Sequence, residues 1–356
     1  MSKESSPTEL LREKSLVVVG GVGGVGKTTL AAAVGLHAAL DGRRVAILTI
    51  DPAQRLGAAL GFRTLGNRLR HTPPKKLDPW RRKTGGSLAA CMLDVKATFD
   101  GMVGRYAPSA TLRDRILASP FYRELSEAMA GTHEYMALEK IYELHALQEF
   151  DLVILDTPPA SALADFFEAP SRIVSFLDRD VVQWFLSPKR KGIAGFAIGK
   201  GMDWALSMLD RLAGGTVLED IAGFLRDFQN LFDGFRERTR TVDELLQSGR
   251  TGFLLVSSAD ELPWQAALKM ADDLRRHRRP LLGLILNRML PDELPKAGNA
   301  MEEKLLGAAH ALHRRQIRIR EEAKSRFSRE AIFEVRLSDR DPATIQDLAR
   351  LSFTSI

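Results

Sequence analysis

The chain has 356 residues, of which 45% are hydrophobic and 27% charged, with a formal net charge of +6. That length buries a substantial core in one large domain or two intertwined ones, and the balance excludes wholesale disorder. The single cysteine, Cys91, excludes an internal disulfide and a thiolate zinc cluster and fits a reducing compartment, while the positive charge suits an acidic partner or is simply a solvated basic surface.

In chain order, the polar start Met1-Ser2-Lys3-Glu4-Ser5 lacks the apolar run of a secretory signal. The first element is a short apolar strand, Leu16-Val17-Val18-Val19. It runs into glycines and then an alanine-rich helix from Lys27 to Leu40. Asp41-Gly42 turns the chain into a second buried strand, 45–50, which ends at Asp51. A strand, helix, strand unit of this kind makes a right-handed crossover between parallel strands. The segment 67–86 carries seven cations against one acid, Asp78, and is expected to be an exposed loop.

The stretches 97–147 and 161–247 break the strand–helix alternation and are expected to be helical. The first holds Tyr135, Leu138 and Tyr142 at helical spacing. In the second, Thr216 and Glu219 have capping-box spacing before Ile221, Leu225, Phe228, Phe232 and Phe235, and a basic, glycine-containing stretch covers 189–201. Between and after them come apolar strands at 151–156, 251–256 and 281–287, with a helix at 265–276. Near-continuous apolar strands separated by helices predict a doubly wound, mostly parallel α/β sheet with an inserted α-helical subdomain. The core is expected over 14–96, 148–160 and 249–356, and the helical insertion over 97–147 and 161–248. No apolar run approaches the roughly 20 residues that span a bilayer, so a soluble, cytoplasmic protein without an integral membrane segment is expected.

The pattern G-x-x-x-x-G-K-T is met by Gly21, Gly26, Lys27 and Thr28, directly after a strand and at the start of a helix. Backbone N–H groups of Gly21, Gly23, Gly24, Val25 and Gly26 would face the phosphates of ATP or ADP, helped by the helix N-terminus. Lys27 would neutralise the β and γ phosphates, Thr28 would bind Mg2+, and Thr29 completes the loop. The same letters contain G-x-G-x-x-G, with Asp51 ending the next strand as in a dinucleotide site. Lys27-Thr28 and a second acidic motif after a strand, Asp156-Thr157-Pro158-Pro159, favour the nucleoside triphosphate. At the carboxyl ends of their strands, Asp51 is placed to orient or deprotonate a water, and both Asp51 and Asp156 to serve the metal.

On these segments the chain resembles the ArsA-type ATPases, which include the arsenical-pump ATPase and the eukaryotic ATPase that delivers tail-anchored membrane proteins. The resemblance covers most of the chain: the phosphate loop, a switch I at Asp51-Pro52-Ala53, a switch II at 156–159, Leu286-Asn287-Arg288, and 132–136 in the first helical stretch. It implies that Asp51 activates water, that Asp156 senses the nucleotide, and that Asn287 binds adenine. It also implies a homodimer or related heterodimer, but Val22 stands where relatives carry the lysine that reaches across that interface. Arg55 in switch I is a candidate replacement cation.

A client-carrying function is implied by the helical insertion, which in relatives receives a hydrophobic helix. Phe224, Phe228, Phe232 and Phe235, with Phe166, Phe167, Trp184, Phe185 and Trp204, would line such a groove or fill the interior of the subdomain. The alternatives are an arsenite-pump-type ATPase subunit, for which one cysteine is too few soft ligands, and a ParA-like or MinD-like positioning ATPase. DNA is the less favoured partner, because the basic residues of 67–86 have only Trp80 among them.

Overall fold

A computed structural model of the protein describes residues 6–52, 55–119, 122, 133–158, 234, 237–294 and 300–356. The aromatic stripe at 224–235, the other aromatic residues expected to line the groove and the basic stretch 189–201 lie outside the described residues. Packing divides the chain into two compact units, one of Met1–Asp94, Lys140–Phe167 and Val242–Ile356, the other of Val95–Glu139 and Glu168–Thr241.

Among the described residues the first unit holds one nine-stranded sheet. Its strands are β1 (Leu16–Gly20), β2 (Arg44–Thr49), β3 (Arg70–His71), β4 (Ser87–Met92), β5 (Leu152–Asp156), β6 (Thr251–Ser258), β7 (Leu281–Met289), β8 (Ala331–Arg336) and β9 (Thr354–Ser355). They lie in the order β3-β4-β2-β5-β1-β6-β7-β8-β9. All neighbours pair in parallel except the two-residue edge strands, β3 against β4 and β9 against β8. Very short edges leave little open ladder for another chain to join. Every residue of β1, β5 and β6 is buried, as near-continuous apolar runs in a covered parallel sheet require.

Helix α1 (Lys27–Leu40) packs on β1, β2 and β5. Its alanines let the helix lie close: a Cβ at Gly35 would come within 2.8 Å of Ile47 Cδ1. The helix ends in a Schellman motif, with Gly42 at φ 97° and N–H groups of Gly42 and Arg43 donating to Ala39 and Ala38 carbonyls at 3.1 Å each. A second helix, α2 (Glu261–Arg276), packs on β6 and β7.

Four strands carry no signal in the sequence reading, the two-residue edges β3 and β9 and the longer β4 and β8. β4 is built on Leu88-Ala89-Ala90-Cys91, where alanines dilute the β-branched signature. β8 interrupts its apolar run with Glu334, buried because Arg320 donates to both of its carboxylate oxygens. The segment 67–86 is also more than an exposed loop. It contains β3 and a short helix, α3 (Pro74–Leu77), and buries Thr72 and Leu77 while leaving most of its cations exposed.

In the second unit, α4 (Val95–Tyr106) is followed by α5 (Ala110–Ala118), whose N-cap Ser109 accepts a hydrogen bond from Leu112 N–H at 3.1 Å. Phe99 and Tyr122 stack with ring centroids 5.3 Å apart. The Arg238 guanidinium lies 3.8 Å from the Tyr106 ring centre and donates to buried Glu139 at 2.9 Å. Helix α6 (His133–Ala146) supplies Glu139 to this unit and its residues from Lys140 onward to the first.

Candidate nucleotide site

Because β2, β5, β1, β6 and β7 lie side by side and parallel, their carboxyl ends share one edge of the sheet, where open α/β folds take up ligands. β1 delivers the loop 21–26 to that edge, β2 delivers Asp51, β5 delivers Asp156, and β7 delivers Asn287. Residues far apart in the chain become neighbours through strand order alone.

The loop is set by backbone geometry. Gly26 is the N-cap of α1 in the left-handed region, φ 93° and ψ 21°, where a side chain is strained. Any Cβ there would strike Asn287 Nδ2, and one at Gly21 would strike the Val256 carbonyl oxygen. Among the described residues no side chain caps this helix end, so its first N–H groups and the positive end of its dipole are left for an anion. Neighbouring strands brace the loop from outside. Asn287 Nδ2 donates to the Val25 carbonyl at 2.8 Å, and Arg288 Nη1 donates to that of Gly24 at 3.1 Å. Val22 packs against the apolar core, and the Lys27 ammonium donates back to the Val22 carbonyl at 2.8 Å.

The acids sit beneath and beside this loop. Asp156 is fully buried, and burial raises its carboxyl to about 6, against smaller opposing effects of hydrogen bonds from Thr28 and Thr49 and of the Lys27 charge. Thr49 Oγ1 donates to Asp156 Oδ2 at 2.8 Å and accepts from the Asp51 N–H at 3.2 Å, so one hydroxyl ties the two acidic segments together. Asp156 Oδ1 has no hydrogen-bond partner among the described residues. A buried carboxylate oxygen left over in this way fits a metal-bound water, and with the Thr28 hydroxyl it offers the hard oxygen donors that Mg2+ prefers. Burial pulls the Lys27 pKa below its ordinary value, Asp156 and Asp51 pull it back up, and Arg55 lowers it further. Thr157 fixes the end of β5 to β1, its hydroxyl donating to the Val19 carbonyl at 2.7 Å.

Two cavities meet at this edge. One, of about 240 Å³, is lined by Gly23, Gly24, Gly26, Lys27, Thr28, Thr29, Asp51, Arg55 and Thr157. A smaller one, about 40 Å³, shares Gly26 and Thr29 and continues along Asn287, Arg288 and the 335–342 segment to Leu351. A phosphate-sized space and a narrower space therefore adjoin across Gly26. The structure thus brings together the residues expected from the sequence: Lys27, Thr28, Thr29 and Asp51 line the larger cavity, Gly21 and Val25 shape the loop behind it, Asp156 lies beneath, and Asn287 lines the smaller one. Sequence reasoning missed Thr49 and the 335–342 wall, and it named Arg288 within 286–288 without its brace to the loop. Neither Thr49 nor the wall belongs to a local motif; only pairing of β7 with β8 could have pointed to that wall.

A family model described as anion-transporting ATPase matches residues 14–354. The putative arsenical pump-driving ATPase 2 of Aquifex aeolicus is 23% identical over 301 residues, 81% of this chain and 85% of that protein. The ATPase ASNA1 homolog of Cryptosporidium parvum is 22% identical over 308 residues, 85% of this chain and 73% of its own length. The ATPase GET3 of Malassezia globosa is 29% identical over 166 residues, and the chain spans only 45% of that protein's length.

Proposed function

The chain belongs to the ArsA, or anion-transporting, ATPase family, and from that premise we propose that it hydrolyses ATP at the edge of its sheet and uses nucleotide state to control a hydrophobic protein client. One observation carries the catalytic half: a helix N-terminus that no described side chain caps and a lysine line one cavity, and a buried carboxylate with an orphan oxygen lies close to that lysine. In this reading the loop N–H groups and Lys27 hold the β and γ phosphates, and Asp51 orients the attacking water and takes its proton. Thr28 and, through water, Asp156 would hold Mg2+, which would supply positive charge against the phosphate oxygens. Asn287, whose Nδ2 is committed to Val25, turns its Oδ1 to the exocyclic amine of adenine.

The client half rests on the resemblance to ATPases that deliver tail-anchored membrane proteins and on a second compact unit separate from the sheet. Among the described residues no helix is long and apolar enough to cross a membrane. One observation weighs against the arsenite alternative. Cys91 is buried in β4, where burial pushes its thiol up to about 12, so the thiolate that trivalent arsenic needs is suppressed.

The test is Asp51→Asn. Turnover should fall at least about 100-fold with ATP affinity changed by less than about threefold, since the carboxylate acts on water rather than on the bound nucleotide. Held in ATP, the variant should retain partners that contain an apolar helix and release them in ADP. Normal turnover in the variant refutes the role of Asp51, and recovery of DNA or of proteins without such a helix refutes the client reading.

A further inference from the structure

We propose that Arg55 is a catalytic residue of this site, delivering its guanidinium in cis to the terminal phosphate of ATP; the inference rests on the hydrolytic reading above. Arg55 opens a short helix, α7 (Arg55–Ala59), just beyond the end of β2. Leu56 and Ala59 of that helix are buried, which anchors it and leaves Arg55 exposed on the wall of the phosphate cavity.

Among the described residues Arg55 makes no ion pair, whereas Arg44, Arg275 and Arg320 are each matched to an acid within 3.1 Å. Its charge is felt by Lys27 across the same cavity. Two cations that face one space repel each other, and an anion between them relieves the repulsion. Lys27 meanwhile spends one donor on the Val22 carbonyl, which places its ammonium on the loop side. Arg55 lines that cavity together with Asp51, the residue assigned to the attacking water.

The planar fork of an arginine matches two phosphate oxygens, and charge accumulates on those equatorial oxygens as the phosphoryl group transfers. In the step itself the water oxygen bonds to the γ phosphorus while its proton passes to Asp51. The bond from that phosphorus to the bridging oxygen breaks, and its electron pair stays on the β phosphate of ADP. Arg55 holds the γ oxygens throughout and gives up no proton.

Arg55→Ala and Arg55→Lys test this in the full chain. Cations of this kind are worth about 10³-fold or more in rate, and Arg55→Ala should lower kcat at least about 100-fold. Its Kd for ADP should stay within about twofold, and its affinity for ADP with aluminium fluoride should fall in step with kcat. Arg55→Lys should restore only part of the loss, because an ammonium cannot form the fork. Mixing Arg55→Ala with Lys27→Ala chains should give only the sum of their residual rates, since both cations must come from one chain. Wild-type turnover in Arg55→Ala, equal losses of ADP and transition-state-analogue binding, or rescue on mixing would each overturn the proposal. A wild-type protein that binds ADP but shows no turnover removes the hydrolytic reading and this one with it.

Discussion

Replacing Asp156 by Asn should make the nucleotide-free protein more stable, by an amount that depends on pH. Burial raises the Asp156 carboxyl from 3.8 to about 6. Between those values the folded protein holds a proton that the unfolded chain has released, so stability falls as pH rises and stays at the lower level above about 6. The full cost of the ionised carboxylate is about 3 kcal/mol. Asn keeps an oxygen that can accept from Thr49 and Thr28 but carries no charge to desolvate. Its advantage over wild type should therefore grow by roughly 1 kcal/mol between pH 5 and pH 8. Urea unfolding of both proteins at the two pH values, without nucleotide or Mg2+, measures it. With Mg2+ and ATP at about 100 times the wild-type Kd that advantage should shrink, because wild type gains about 2.7 kcal/mol from binding and the variant, without the proposed metal-side acceptor, gains less. A stability difference that does not change between pH 5 and pH 8 would refute the burial cost assigned to the ionised carboxylate.

Two further predictions concern the loop and the cysteine. Gly26→Ala forces a side chain into the left-handed region and against Asn287. It should cost about 2–3 kcal/mol, summing the backbone strain and the lost Asn287–Val25 hydrogen bond, and weaken ADP binding at least about tenfold; calorimetric titration with an unchanged Kd would contradict this. Cys91, buried with its thiol raised to about 12, should resist a thiol-reactive dye in the native protein at pH 8 and react fully in denaturant. Prompt labelling of the native chain would refute that environment and reopen the metalloid reading.

The phosphate loop was legible in the sequence because its chemistry is local. Gly21 to Thr29 are consecutive, their work is done by backbone N–H groups, and the flanking strand and helix announce themselves by the apolar run at 16–19 and the alanines of 30–33. The strands 45–50, 151–156, 251–256 and 281–287 were legible for the same reason, since a buried parallel strand reads as an unbroken apolar run. β4 and β8 were not, because alanines weaken one and a buried, paired Glu334 interrupts the other. The segment 67–86 misled because its charges suggested an open loop, whereas Leu77 and Thr72 pin it to the core.

What only the tertiary structure decided is who stands beside whom at the sheet edge. Strand order is a matter of pairing between distant segments, and no local pattern encodes that β5 enters between β2 and β1. That insertion puts Asp156 under Lys27, and lets the Thr49 hydroxyl join Asp156 to Asp51. The placement of β7 on the far side of β6 carries Asn287 and Arg288 to the back of the loop, where they fix carbonyls that the sequence could not show to need partners. The sequence therefore determined that this chain can cradle phosphate, through residues adjacent in the chain; the fold decided which acids, amides and cations surround that cradle, because those meet only when the sheet is assembled.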